Sequence, residues 1–100
     1  MLIVAGSIEV EPAQRAAFLE SRADAMRTSR AEEGCLEYTF SADPLDARRV
    51  VLLERWESAA ALDAHLAAMR AGPPPAEDGV RPVRQSVAVY EIAAVRQLGG

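Results

Sequence analysis

The chain has 100 residues, of which 50% are hydrophobic and 26% charged, with a formal net charge of −4. That length holds one domain, residues 1–100, with a thin core, and leaves no room for a dinucleotide-binding domain, a kinase or a multidomain enzyme. Every basic residue is Arg, no Lys or Asn occurs, and the acidic balance offers no basic surface to a nucleic-acid backbone.

A single cysteine, Cys35, makes no internal disulfide, so a disulfide-stapled secreted domain is excluded. Met1–Ala5 is apolar but short, without a basic lead or a cleavage site, and no run approaches ~18 apolar residues. The expectation is a cytoplasmic protein with no membrane segment.

Leu2–Val10 starts as a continuous apolar run and ends alternating, which predicts a strand. Pro12 then stands where the first residue of a helix tolerates it. Ala16, Leu19, Ala23 and Met26 follow at three- and four-residue spacing, one apolar stripe along a helix of roughly five turns, with Arg15, Arg22 and Arg27 on its solvated face. Gly34 supplies a left-handed stop after that helix. Leu36, Tyr38 and Phe40 alternate with Glu37, Thr39 and Ser41, a half-buried strand. Asp43–Pro44 is turn chemistry and Asp46–Arg49 completes a polar connection. Val50–Glu57 is the next strand, forming a hairpin with the one before. Ser58 is placed to cap a second helix whose stripe is Leu62, Leu66 and Met69. Gly72 and the prolines that follow end it, and residues 71–83 form a loop long enough for a lid or an interface arm. Ser86–Val95 closes the chain as a strand that is apolar on nearly both faces.

The order β-α-β-β-α-β is the split arrangement of an α+β, ferredoxin-like sandwich with both helices on one face of an antiparallel sheet. The last strand carries Val87 and Val89 on one side, and Ala88, Tyr90 and Ile92 on the other. A sheet covered on one face only should leave one of those rows in water. A second subunit covering it repairs this, so the expectation is a homodimer burying on the order of 2,000 Å² or more.

Glu33-Gly34-Cys35-Leu36-Glu37-Tyr38, Asp43-Pro44, Leu53-Glu54-Arg55-Trp56-Glu57-Ser58 and Ala61-Leu62-Asp63-Ala64-His65-Leu66 together resemble the antibiotic biosynthesis monooxygenase domain, whose small bacterial members include quinol monooxygenases. The resemblance runs from the first strand to the end of the second helix. It implies a dimeric α+β barrel with a pocket between each sheet and its helices. It further implies oxygenation of a small aromatic quinol or phenol by O2 with no cofactor and no metal. Relatives degrade haem or isomerise small metabolites, so a non-catalytic small-molecule-binding barrel and an isomerase stand as alternatives. Anthrone-oxidising and haem-degrading relatives hold substrate or oxygen with an Asn on the sheet, a residue this chain lacks.

Triplet oxygen reacts slowly with closed-shell organic molecules, so an enzyme without a cofactor must convert the substrate to an electron-rich anion. The protein supplies an apolar pocket, a proton acceptor and electrostatic positioning. His65, the only His, borders the apolar stripe and could take a phenolic proton; packing at the helix edge is the plainer role. Trp56, the only Trp, reads either as an aromatic wall offering its indole N–H to a substrate or as a core anchor. These two are the candidate catalytic residues. Tyr38, Phe40, Glu54 and Met69 are candidates for binding the substrate. For Tyr38 a buried ring is the plainer role, and for Glu54 an ion pair with an arginine such as Arg48 or Arg84. A lone His makes no metal site, and Cys35 reads as packing.

Overall fold

The computed structural model describes residues 1–73 and 80–99. Four eight-residue strands, β1 (Leu2–Glu9), β2 (Cys35–Ala42), β3 (Arg49–Trp56) and β4 (Arg84–Glu91), form one antiparallel sheet in the order β2-β3-β1-β4. Strand alternation decides which side chains meet the helices. The register aligns Val4 with Glu54 and Val89, and Ile8 with Val50 and Gln85. Val50, Leu52, Glu54 and Trp56 of β3 are therefore all buried on the helix side, while Val51, Leu53 and Arg55 face away. The expected α+β, ferredoxin-like arrangement is the one found.

The first helical segment is not the single helix that its spacing predicts. A 3-10 turn at Pro12–Gln14 leads into α1 (Arg15–Ser21), and α2 (Ala23–Arg30) follows after a break at Arg22. The break has a local cause. The Ser21 hydroxyl donates to the Phe18 carbonyl at 2.6 Å, and the Arg22 amide turns to Leu19 O at 3.1 Å. A hydroxyl that competes for an intrahelical carbonyl tightens the turn and bends the axis. The buried stripe is also displaced. Phe18 and Ser29 are buried whereas Ala16 is exposed, because the large ring takes core space that an alanine cannot fill. Arg15 and Arg22 do not belong to a solvated face. Arg15 donates to the carbonyls of Asp43 and Asp46 at 2.9 and 2.7 Å, and the Arg22 guanidinium lies 4.8 Å from the centre of the Phe18 ring. Arg27 is exposed and pairs with Asp24.

Gly34 comes later than a helix stop. Helix α2 ends at Arg30, and Gly34, at φ 81°, turns the chain into β2 against Ala61. A bulge between Cys35 and Glu37 then removes Leu36 from the row of Tyr38 and Phe40 and leaves it 45% exposed. Ser58 caps α3 (Ala59–Ala71) as expected, accepting from the Ala61 amide at 3.1 Å. The last strand runs Arg84–Glu91, beginning and ending earlier than the apolar run suggests. Both of its rows are exposed. Residues 74–79, the centre of the loop expected over 71–83, lie outside the described residues. Among the described residues no helix is long and apolar enough to cross a membrane.

Gly6 lets β4 approach. A methyl group at position 6 would lie 2.0 Å from the Ser86 carbonyl oxygen and 2.6 Å from Val87 Cα, both backbone atoms. Gly6→Ala should therefore lower stability by about 1–3 kcal/mol and speed hydrogen exchange in β4. An unchanged urea midpoint would remove the close approach.

Candidate functional site

The space between the sheet and the helices is a cavity of about 470 Å³, within the usual range for small-molecule sites. Its walls come from every layer: Val4 and Ile8 of β1, Phe18 of α1, Leu62, Leu66 and Met69 of α3, and Val87 and Val89 of β4. Five of the six residues singled out from sequence line it, namely Tyr38, Phe40, Glu54, His65 and Met69. Burial gives the cavity a direction. Tyr38, Glu54 and His65 are 4%, 6% and 2% exposed and form its floor, while Met69 and Val89 at 59% and 53% form its mouth.

His65 reaches that floor because the start of α3 is anchored twice. The Ser58 cap fixes the first turn, and the Glu57 amide donates to Gly34 O at 2.8 Å. Leu62 and His65, three residues apart, then form the buried edge of the helix. The imidazole lies 4.6 Å from the Trp56 ring centre and 5.4 Å from that of Tyr38. Its Nδ1 is 2.9 Å from Glu32 Oε1.

Trp56 is placed otherwise than its reading as a pocket edge requires. It is completely buried, does not line the cavity, and donates its indole N–H to Glu54 Oε1 at 3.0 Å. It stands behind His65 as a wall, with its one donor already committed. Two residues, Glu57 and Ser58, join β3 to α3, one more than the spacing suggests. Glu54 does not pair with an arginine: Arg48 approaches Glu11 at 3.8 Å, and Arg84 is exposed at the far end of β4. The indole N–H is its partner.

The electrostatics of the floor follow from burial. Loss of water pushes the Glu54 carboxyl above its ordinary range, opposed by the Trp56 N–H and the nearby His65. Burial, and then the charge on Glu54, push the Tyr38 phenol up as well. The Cys35 thiol is also raised by burial, away from the reactive thiolate. Among the described residues no three His, Cys, Asp or Glu side chains gather into a metal-binding group. Sequence reasoning missed Glu32 and Arg22. Glu32 stands 33 positions from His65, so no local pattern announces it; Arg22, which lines the cavity, was legible only as i+4 from Phe18.

The family model described as antibiotic biosynthesis monooxygenase matches residues 1–71. An uncharacterized protein of Synechocystis is 34% identical over 64 residues, 64% of this chain and 44% of that protein, so the match spans less than half of that relative's length. A provisionally named antibiotic biosynthesis monooxygenase from Deinococcus radiodurans superposes with a TM-score of 0.79 at 20% identity over 100% of both chains. The haem-degrader MhuD from Mycobacterium tuberculosis, solved with two haems in its active site, gives 0.74 at 17% identity over 97% of this chain and 100% of its own. At these identities the structural likeness establishes the fold.

The raised Glu54 carboxyl has a consequence for stability. A carboxyl whose folded pKa exceeds its unfolded value keeps its full contribution below the unfolded range and loses it as pH rises through the folded pKa. Glu54→Gln retains an oxygen to accept the Trp56 N–H and cannot ionise. Urea unfolding across pH should show the variant gaining on the natural chain as pH rises above the ordinary glutamate value of 4.5. A constant difference between the two would show that Glu54 carries no burial penalty.

Proposed function

Because this chain belongs to the antibiotic biosynthesis monooxygenase family, we propose that it is a cofactor-independent monooxygenase of a small aromatic quinol or phenol. Family membership supports a general monooxygenase-like role. The finer reading rests on one observation: an apolar cavity whose polar floor is His65, Tyr38 and Glu54. A flat ring enters past Met69 and Val89 and lies against Phe40. Its hydroxyl meets His65, which accepts the proton as the general base. The phenolate passes an electron to O2, and the radical pair recombines at a ring carbon before either partner escapes the apolar walls. The peroxide so formed takes the proton from His65. Loss of the ring C–H proton then breaks the O–O bond, leaving a carbonyl on the ring and releasing hydroxide that leaves as water. One oxygen atom stays on the substrate and the other leaves as water, the substrate supplying all the electrons. The chain contributes a base, a dry cavity and orientation.

Trp56 acts in this reading through His65 and Glu54, as the wall that holds both, rather than by touching substrate. The 100 residues act as one domain in the cytoplasm and pair as a homodimer. The open face of the sheet supports the pairing, since Ile3, Val51, Leu53 and Tyr90 share it and Tyr90 is 54% exposed. No nucleic acid and no membrane is a partner.

Oxygen uptake tests the chemistry. Purified metal-free protein given a panel of hydroquinones and naphthoquinols in air should consume oxygen saturably above autoxidation. His65→Ala should lose ~100-fold or more in rate and stay folded. Turnover without oxygen would move the assignment to an isomerase, binding without turnover to a carrier, and a Soret shift on adding hemin to the haem-degrading branch. Light scattering should return the mass of two chains, and Leu53→Glu that of one; a natural chain that is monomeric at micromolar concentration would remove the paired sheets.

A further inference from the structure

We propose that Glu32 is a positioning residue that holds His65 in the one tautomer and ring orientation able to take a proton from a molecule in the cavity. The inference rests on His65 being the base proposed above and adds the group that makes it one.

Packing alone does not orient this ring. Trp56 lies against one face at 4.6 Å and Tyr38 meets it edgewise at 5.4 Å. Both are aromatic contacts, and a half-turn of an imidazole exchanges nitrogen for carbon with almost no change of shape. A polar bond breaks that symmetry. Nδ1 stands 2.9 Å from Glu32 Oε1, and Glu32 is the only hydrogen-bond partner of the ring among the described residues. An ionised carboxylate only accepts, so the neutral imidazole must carry its proton on Nδ1 and its lone pair on Nε2. No buried side-chain nitrogen or oxygen among the described residues lacks a partner. Nε2, which has none, therefore reaches open space, and the space His65 borders is the cavity.

Glu32 is itself held. Its amide donates to Ser29 O at 3.0 Å and its carbonyl accepts from the Cys35 amide at 3.2 Å, so the turn between α2 and β2 fixes the backbone beneath the carboxylate. Gly34, two residues on, adopts φ 81° and seats that turn against Ala61 of α3. The carboxylate is thus carried on the segment that docks on the helix bearing His65. Glu54 makes no hydrogen bond to the ring, and its Oε1 accepts from Trp56. Once Nε2 accepts a proton, the imidazolium faces a carboxylate on its far side, an arrangement that favours the charged product of the transfer.

Two-bond ¹H–¹⁵N correlation spectra of His65, the only histidine, read the tautomer directly and need no substrate. The natural chain, at a pH where the ring is neutral, should show the proton on Nδ1. Glu32→Gln, whose amide oxygen still accepts, should keep it, and Glu32→Ala should release the ring to a mixture dominated by the Nε2 proton. On any substrate that the enzyme oxidises, Glu32→Ala should lower kcat by about 10-fold or more while KM stays within about 2-fold, with Glu32→Gln recovering part of the loss. A natural chain with the proton on Nε2 overturns the proposal whether or not oxygen is consumed. So does a Glu32→Ala spectrum identical to the natural one. A chain that shows the Nδ1 proton and consumes no oxygen retains the Glu32 assignment and loses only the oxygenase reading.

Discussion

The Trp56 indole N–H donates to Glu54 Oε1 at 3.0 Å, and this bond allows a carboxyl group to stand in an otherwise apolar row. β3 alternates without a break, so Val50, Leu52, Glu54 and Trp56 all point at the helices. A carboxyl placed there must find a donor or remain protonated. The donor it finds is two residues along its own strand, on the same face. The bond fixes the indole, and the indole in turn forms the wall against which His65 packs at 4.6 Å. Core and candidate site are therefore built from the same few side chains. Trp56→Phe would release Glu54 and His65 together.

The cavity above that row differs sharply between floor and mouth. Tyr38, Glu54 and His65 are nearly inaccessible, while Leu66 and Met69 of α3 and Val87 and Val89 of β4 are exposed. Helices α1 and α2 pack on β2 and α3 packs on β3, while among the described residues no helix packs extensively on the edge strand β4. Gly6 lets that strand close on β1. A molecule that is flat and apolar along its length, with a hydroxyl at one end, matches this gradient. In the proposed reading its ring passes the mouth to lie against Phe40 and its hydroxyl meets His65 at the floor.

Much of the fold was legible because strand alternation and helix capping are local. Tyr38, Phe40 and the β3 row announce their faces within a few residues, and Ser58 caps α3 as its position before an apolar stripe requires. Errors arose where two local signals competed. Ala16, Leu19, Ala23 and Met26 keep helical spacing, but Phe18 is larger and takes the core, and the Ser21 hydroxyl breaks the helix that the spacing implies. The bulge at Leu36 reverses one side chain of a clean alternation. In the site, Tyr38 of β2, Glu54 of β3 and His65 of α3 converge on one cavity floor, because the two strand residues face the helices and His65 faces the sheet, while Met69 lies at the mouth and Trp56 behind the floor. Glu32 and the true partner of Glu54 were not legible. The first depends on a turn docking across the fold, and the second on choosing a neighbour at i+2 over distant arginines.

In the proposed function a small aromatic molecule binds between sheet and helices, over His65, Tyr38 and Glu54. Titrating ¹⁵N-labelled protein with a naphthoquinol under nitrogen, where no oxygenation occurs, measures this most directly. The account expects saturable shifts at Tyr38, Glu54, His65 and Val87, with the open face at Ser7, Val51 and Leu53 unmoved. Shifts confined to that open face, or none that saturate, would contradict it.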